Sequence, residues 1–138
     1  GTIIGLTRGT GRAELARAVV EAMAFQTRDV VEAMVEAGAQ PLTELKVDGG
    51  AAIMDLLLKL QADQLGVPVT RSATTETTAL GAAFFAGLAE ELWSSTDELA
   101  GLWRGDPAVE PAADRRAAEV SYRRWLEAVK RSRGWAPD

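Results

Sequence analysis

Between residues 45 and 70 the chain reads LKVDGGAAIMDLLLKLQADQLGVPVT: a short apolar strand, a double-glycine turn, a helix and a second apolar strand. Gly66, followed by Pro68, is a helix stop signal, so the helix is expected over about 51–65. A helix of this length carries the chain from one strand to a parallel neighbour, and such crossovers are right-handed. The stretch therefore predicts an α/β fold built on a parallel pair of strands at 45–47 and 67–70.

Helices are expected to form most of the remaining chain, because apolar residues recur at helical spacing through it. Gly81 and Gly87 lie inside one of these helices, and their missing side chains predict close approach of a neighbouring element. The last helix is expected to pack on the body of the fold through Trp125, Leu126 and Val129. The expected helices run over 12–37, 79–92, 96–103 and 113–131. The last of them lies within a segment at 113–133 that is expected to dock on the body of the fold. Residues 1–6 are expected to be a strand or extended.

The sheet predicted from these segments is small for a parallel sheet. Parallel sheets are usually covered on both faces and contain about four to six strands, whereas this chain offers two or three very short ones. We therefore expect the chain to be part of a larger α/β protein, or its sheet to be completed from outside. The start at Gly1 rather than at a methionine agrees with that expectation.

The composition excludes several classes of site. The 138 residues contain no cysteine and no histidine, which removes disulfides, Cys/His zinc sites and imidazole-based catalysis. The formal net charge of −5 at pH 7 argues against nucleic acid as a partner, because phosphate binding depends mainly on Lys and Arg. No apolar run reaches membrane-spanning length, and no signal peptide is recognisable. The missing cysteines are consistent with a reducing compartment, so a cytoplasmic protein is expected.

The Asp-Gly-Gly turn at 48–50 is the strongest candidate for a binding site. Glycines at the junction of a strand and a helix let a ligand reach the backbone without meeting a Cβ, and the first helical N–H groups favour an anion or a polar atom. Equally, the glycines are compatible with a tight turn that needs positive φ, and Asp48 with an Asx turn that stabilises the bend. No P-loop, dinucleotide fingerprint or carboxylate pair suited to acid–base catalysis is present. Asp48, at a strand end, is also placed as a metal-associated or ligand-facing carboxylate would be, although no catalytic residue or metal ligand is assigned in this chain.

Five ordered segments cover almost the whole chain: GLTRGT at 5–10, AFQTRDV at 24–30, VDGGA at 47–51, LQADQLG at 60–66 and ETTALGAA at 76–83. Together they resemble the FGGY family of carbohydrate kinases, and within it the branch that phosphorylates glycerol. The tail through Tyr122, Trp125 and Lys130 continues the likeness. Sister kinases for other sugars share the glycine turn but usually not the FQTRD block.

The resemblance implies part of the C-terminal lobe of an actin-like ATPase fold (ribonuclease H-like), helix-rich with a short, mainly parallel sheet. It implies a complete enzyme that uses ATP and Mg²⁺ to convert glycerol to glycerol 3-phosphate in a cleft shared with an N-terminal kinase lobe. The catalytic aspartate, the glycerol contacts, the phosphate loop and most Mg²⁺ contacts lie outside this chain. Residues 1–138 would then be a partial C-terminal domain without activity of its own, and a homo-oligomer is left open.

The same resemblance assigns Asp48, Gly49 and Gly50 to the turn that touches the adenosine end of ATP or ADP. Met54 stands where the family usually has an asparagine in contact with the nucleotide, which puts that side-chain contact in doubt. Alternatives are another FGGY sugar or polyol kinase, a catalytically inactive nucleotide-binding or interaction module, and a mainly helical structural protein. A Gly50→Val substitution separates the last, because it would then change stability but no ligand affinity.

Overall fold

The computed structural model describes residues 1–134 and confirms the strand–helix–strand unit at its centre. Strands β1 (Leu45–Val47) and β2 (Val69–Arg71) are parallel, with Leu45 opposite Val69 and Val47 opposite Arg71. Antiparallel bridges from Val109 to Val69 and from Gly105 to Ser72 bring the loop after residue 104 to the other edge of β2. The expected second strand begins two residues later than predicted, at Val69.

A small apolar core holds this unit together. Leu58 and Ala62 of the crossover helix and Val69 of β2 are almost completely buried. Leu45, Val47 and Val109 pack against them from the strands and the edge loop. Leu58 and Ala62 are four residues apart and therefore lie on one face of the helix, which is why the helix covers one face of the strand pair.

The crossover helix α2 begins later than its apolar pattern predicts. A 3₁₀ turn occupies Gly50–Ile53, Met54 is extended at φ −84° and ψ 99°, and α2 runs over Asp55–Leu65. The expectation that the glycine turn leads directly into a helix starting at residue 51 is therefore wrong. Gly66 ends α2 as predicted, in the left-handed conformation at φ 72°.

The other helices have the predicted order with shifted ends. The observed bounds are α1 Arg12–Glu36, α3 Thr77–Ala89, α4 Thr96–Ala100 and α5 Arg116–Ser132. Residues 1–6 form no strand. The close approach predicted at Gly87 is confirmed, since a Cβ there would overlap the Trp93 ring. A Cβ added to Gly81 would meet no described atom within 4 Å outside its own helix, so no close approach occurs there. Residues 135–138, which the expected domain at 1–138 includes, lie outside the described range.

Helix α5 packs on α1 through aromatic side chains. Trp125 stacks on Phe25 with 5.5 Å between ring centroids, and the Tyr122 ring lies 6.3 Å from the same ring. The predicted contact through Trp125 is confirmed, whereas the prediction for Leu126 is wrong, because that side chain is 46% exposed. Tyr122, only 5% exposed, takes the central position instead. Within the expected 113–133 segment, the helix itself begins at Arg116.

Much apolar surface remains uncovered. The total accessible surface is 10,030 Å², whereas a compact monomer of 14.7 kDa exposes about 6,900 Å². Helix α3 is almost entirely apolar, yet Gly87 is its only buried residue, and Phe85 is 74% exposed. On α1, the side chains of Val19 and Val30 are exposed as well. The excess supports the expectation that further structure covers these faces.

Candidate functional site

The glycine turn begins where β1 ends. Gly49 has φ 80° and ψ −178°, a conformation that L side chains rarely adopt, so the turn requires glycine at this position. Gly50 has no positive φ, and a Cβ added to it would meet no heavy atom of residues 1–134 within 4 Å, apart from its chain neighbours and the nearby backbone of its own helical turn. Conformation therefore accounts for one glycine of the pair, and neither conformation nor packing accounts for the other.

The turn is open to solvent. Asp48, Gly49 and Gly50 are all exposed, and among the described residues the Asp48 carboxylate accepts no hydrogen bond. The Asx turn considered for Asp48 is thus not formed. The Ala52 N–H donates to the Gly49 carbonyl at 3.1 Å and closes the first turn of the 3₁₀ segment.

Met54 separates the 3₁₀ turn from α2. It occupies the N-cap position of α2, where its half-buried side chain makes no capping hydrogen bond. Asn, Asp and Ser are preferred at this position because their side chains accept from the first helical N–H groups. Asp55, at the first helical residue, places a carboxylate near the positive end of the helix dipole.

Arg71 is a residue of this region that the sequence analysis missed. Its guanidinium donates to Asp106 Oδ2 at 2.9 Å, to the Ala52 carbonyl at 3.0 Å and to Asp55 Oδ1 at 3.2 Å. The hydrogen bond to Asp106 raises the pKa of Arg71 above its usual value, and an arginine side chain stays protonated in proteins in any case. The carboxyl ends of parallel strands lie at the same edge of a sheet. This rule could have placed Arg71, at the end of β2, beside the turn that follows β1.

A second polar cluster links α1 to α5. Tyr122 Oη lies 2.7 Å from Asp29 Oδ1 and 3.0 Å from Glu32 Oε2, and Trp125 Nε1 donates to Asp29 Oδ2 at 2.8 Å. Burial, followed by the two carboxylates, raises the pKa of Tyr122 above its usual value. Asp29, the aspartate of the FQTRD block, therefore binds two side chains of α5. No described hydrogen bond joins this cluster to the glycine turn.

Arg28 of the same block completes the cluster. It donates to Glu119 Oε1 at 3.0 Å and to Glu32 Oε1 at 2.7 Å, and its guanidinium carbon lies 3.9 Å from the centre of the Tyr122 ring. The hydrogen bond from Arg28 lowers the pKa of Glu119. Cation–π contact and charged hydrogen bonds thus act on the same interface between α1 and α5.

The described residues contain no cluster of three or more acidic groups that could hold a metal ion. A cavity of about 290 Å³ lies between α1, α2 and α5, and one of about 840 Å³ lies between the N-terminal segment, α1 and α5. Neither is lined by residues of the glycine turn. Within residues 1–134, no helix combines the length and the apolar character needed to cross a bilayer.

Comparison with known proteins agrees with this architecture. The sequence model of the FGGY family of carbohydrate kinases, C-terminal domain, matches residues 1–90. A glycerol kinase of Aromatoleum aromaticum is 58% identical over 98% of the chain, and one of Dechloromonas aromatica is 55% identical over 99%. The chain spans 27% of the length of each.

Among solved structures, Plasmodium falciparum glycerol kinase with ADP is similar with a TM-score of 0.80 and 29% identity; the match covers 98% of this chain and 27% of that one. The helix-rich architecture with its short parallel strand pair is thus that of the C-terminal lobe of an actin-like ATPase. Since the family model matches well over half of its residues, the chain belongs to the FGGY family of carbohydrate kinases.

Proposed function

We propose that this chain forms the adenosine-facing wall of the nucleotide cleft in a kinase that transfers the γ-phosphoryl group of ATP to glycerol. The turn formed by Asp48, Gly49 and Gly50 would lie against the nucleotide, and a separate N-terminal lobe would supply the catalytic base, the acceptor site and most contacts to Mg²⁺. The glycerol kinase relatives and the ADP-bound structural neighbour support the choice of acceptor and nucleotide.

The observation that carries the proposal is the open space around Gly50. A glycine inside a turn is usually explained by positive φ or by a close neighbour within the fold. Gly49 has the first explanation and Gly50 has neither. A third explanation is that something outside the chain approaches the backbone at Gly50, and an exposed turn at the end of a strand, followed by a helical segment, suits a nucleoside.

The uncovered surface supports the requirement for a second lobe. Phosphoryl transfer depends on holding ATP, Mg²⁺ and the acceptor hydroxyl in one geometry, with little covalent work by the protein. An exposed turn contacts a ligand from one side, and bound ligands of this size are usually buried over most of their surface. The chain alone is therefore expected to be inactive, and the complete protein to close the cleft.

A series at Gly50 in the full-length protein that contains this chain tests the proposal. Gly50→Ala and Gly50→Val are expected to leave the melting temperature nearly unchanged, because a Cβ there has open space among the described residues. ATP affinity measured by calorimetry should fall with side-chain size, by about tenfold or more for valine. Glycerol affinity should stay constant across the series.

Gly49→Ala is the matched contrast. Its backbone conformation, with positive φ and ψ near 180°, predicts a loss of stability of about 1–3 kcal/mol without any ligand present. Gly50→Val that binds ATP as tightly as the parent would exclude the turn from the nucleotide site. ATP turnover with another polyol or sugar, but not with glycerol, would keep the family assignment and correct the acceptor.

A catalytically inactive nucleotide-binding module is the second candidate, and Met54 is the observation that favours it. The family's asparagine at this position is replaced by a side chain that has no hydrogen-bond donor and accepts only weakly. Tight ATP binding by the full-length protein without turnover on glycerol or related polyols would select this alternative.

A further inference from the structure

Arg71 lies beside the glycine turn because of the strand register. Val47 pairs with Arg71 across the sheet, and the Ser72 N–H donates to the Val47 carbonyl at 2.8 Å. Asp48, the first residue of the turn, follows Val47 directly. The Arg71 side chain thus starts at the same sheet edge from which the turn departs.

From that edge the guanidinium reaches two successive parts of the site. One nitrogen, Nη1, donates both to the carbonyl of Ala52, inside the 3₁₀ turn, and to the carboxylate of Asp55, at the start of α2. The planar fork of arginine suits this arrangement, since a single side chain spans acceptors on different elements with fixed angles between its donors.

The other side of the guanidinium is anchored independently. Arg71 Nε donates to Asp106 Oδ2 at 2.9 Å, while the Asp106 N–H donates to the Arg71 carbonyl at 2.9 Å. This reciprocal pair fixes both the backbone and the side chain of Arg71. A held guanidinium can hold the turn in place, whereas a freely rotating one cannot.

Ala52 is the residue through which this contact matters. It is 4% exposed, its N–H closes the turn onto the Gly49 carbonyl, and its own carbonyl accepts from Arg71. A short 3₁₀ segment has strained hydrogen-bond geometry and is weakly held by itself. Met54 adds no side-chain cap at the junction with α2. The Arg71 side chain therefore links the 3₁₀ turn to the sheet by a hydrogen bond.

We propose that Arg71 is a positioning residue for the nucleotide turn: it sets the position of residues 49–52 relative to the sheet, and through them the affinity for ATP. The inference rests on the proposed function of the turn. Arg71 does not touch the nucleotide in this scheme, so its effect is on ATP binding and not on the chemical step or on the acceptor.

The test uses the full-length protein with Arg71→Met, which keeps side-chain length but removes the charge and all donors. We expect KM for ATP and the calorimetric Kd of ATP to rise about tenfold, the loss typical of one charge-assisted hydrogen bond. The kcat and the KM for glycerol should stay within about twofold. Arg71→Lys should recover part of the affinity, because an ammonium group can reach one acceptor but cannot span all three.

Arg116→Met is the matched control. Arg116 pairs with Asp114, and its side chain is 90% exposed at the start of α5, so the variant loses the same positive charge without touching the turn. Its KM for ATP should equal that of the parent. Asp106→Asn should lie between the parent and Arg71→Met, because it weakens the anchor by removing its charge and keeps the donor to Ala52.

Unchanged ATP affinity in Arg71→Met, with a parent that binds ATP, overturns the inference and leaves the proposed function intact. Equal rises in both KM values, with a lowered melting temperature, also overturn it, because they indicate a general structural role. A parent that binds no ATP overturns the proposed function and the inference with it. If Arg71→Met does not fold, Arg71→Lys and Asp106→Asn carry the same comparison.

Discussion

The Tyr122 hydroxyl lies at the centre of the interface between α1 and α5. Tyr122→Phe measures how much this hydroxyl contributes to the free energy of unfolding. The ring is 5% exposed and stays in place in the variant, so the change isolates the hydroxyl. Although Oη lies within 3.0 Å of carboxylate oxygens of both Asp29 and Glu32, it has one proton to donate. The loss is therefore one charge-assisted hydrogen bond, about 1.5–3 kcal/mol.

The structure places the expected value near the lower limit of that range. After the substitution Asp29 keeps the Trp125 indole N–H at 2.8 Å, and Glu32 keeps Arg28 at 2.7 Å. Glu32 is also about half exposed, so water can replace the lost donor. We expect Tyr122→Phe to lower the free energy of unfolding by about 1.5 kcal/mol at neutral pH, measured by urea unfolding with tryptophan fluorescence.

The same hydroxyl predicts a dependence on alkaline pH. The unfolded tyrosine ionises near pH 10, whereas burial and the two carboxylates raise the pKa of Tyr122 in the folded state. The contribution is fully present below pH 10 and is lost as pH rises further, because only the unfolded state then releases the proton. Tyr122 is the only tyrosine of the chain, so phenolate absorbance near 295 nm reports this group directly.

A double-mutant cycle with Asp29→Asn controls for indirect effects and should give a coupling energy of about 1 kcal/mol. A Tyr122→Phe variant as stable as the parent would show that the hydroxyl does not bind the carboxylates of Asp29 and Glu32. Formation of the phenolate near pH 10 in the folded chain would show the same.

Three further substitutions test the ends of α2 and α3. Met54→Asn should be more stable than Met54→Gln by about 1 kcal/mol in urea unfolding, because only asparagine has the length to cap α2; equal stabilities would contradict the N-cap assignment. Gly66→Ala should cost at least about 1–2 kcal/mol, since φ is 72° and a Cβ would overlap the Arg115 guanidinium; the same cost in an Arg115→Ala background would leave only the backbone as its cause. Glu91, just after the end of α3, has φ 58°. Glu91→Gly should raise the melting temperature slightly, because the relieved backbone strain exceeds the cost of the added chain entropy by about 0.5 kcal/mol. A lower melting temperature would contradict this expectation.

Several features of the fold were predictable because they depend on neighbours along the chain. Arg17 and Glu21 lie one helical turn apart, and their ion pair forms at 2.6 Å as the spacing of opposite charges indicates. Gly66 ends α2 in the left-handed conformation that glycine favours at the C-terminal end of a helix. The open glycine turn at 48–50 likewise follows from local residue types.

Other features depend on distant parts of the chain, and the helical pattern could not assign them. The periodicity of α5 defines an apolar face that includes both Tyr122 and Leu126, but only contact with Phe25 and Asp29 determines that Tyr122 is buried and Leu126 exposed. Met54 fits a helical pattern equally well and nevertheless breaks the helix.

The sequence by itself determined the order of the elements, the parallel strand pair and the family, because each of these is written in short-range spacing and residue type. Only the tertiary structure decided that Arg71 contacts Ala52, 19 residues away, and that Asp29 binds Tyr122, 93 residues away. Periodicity specifies which face of a helix is apolar but not what it meets, and the partner of a polar side chain is set by packing in three dimensions.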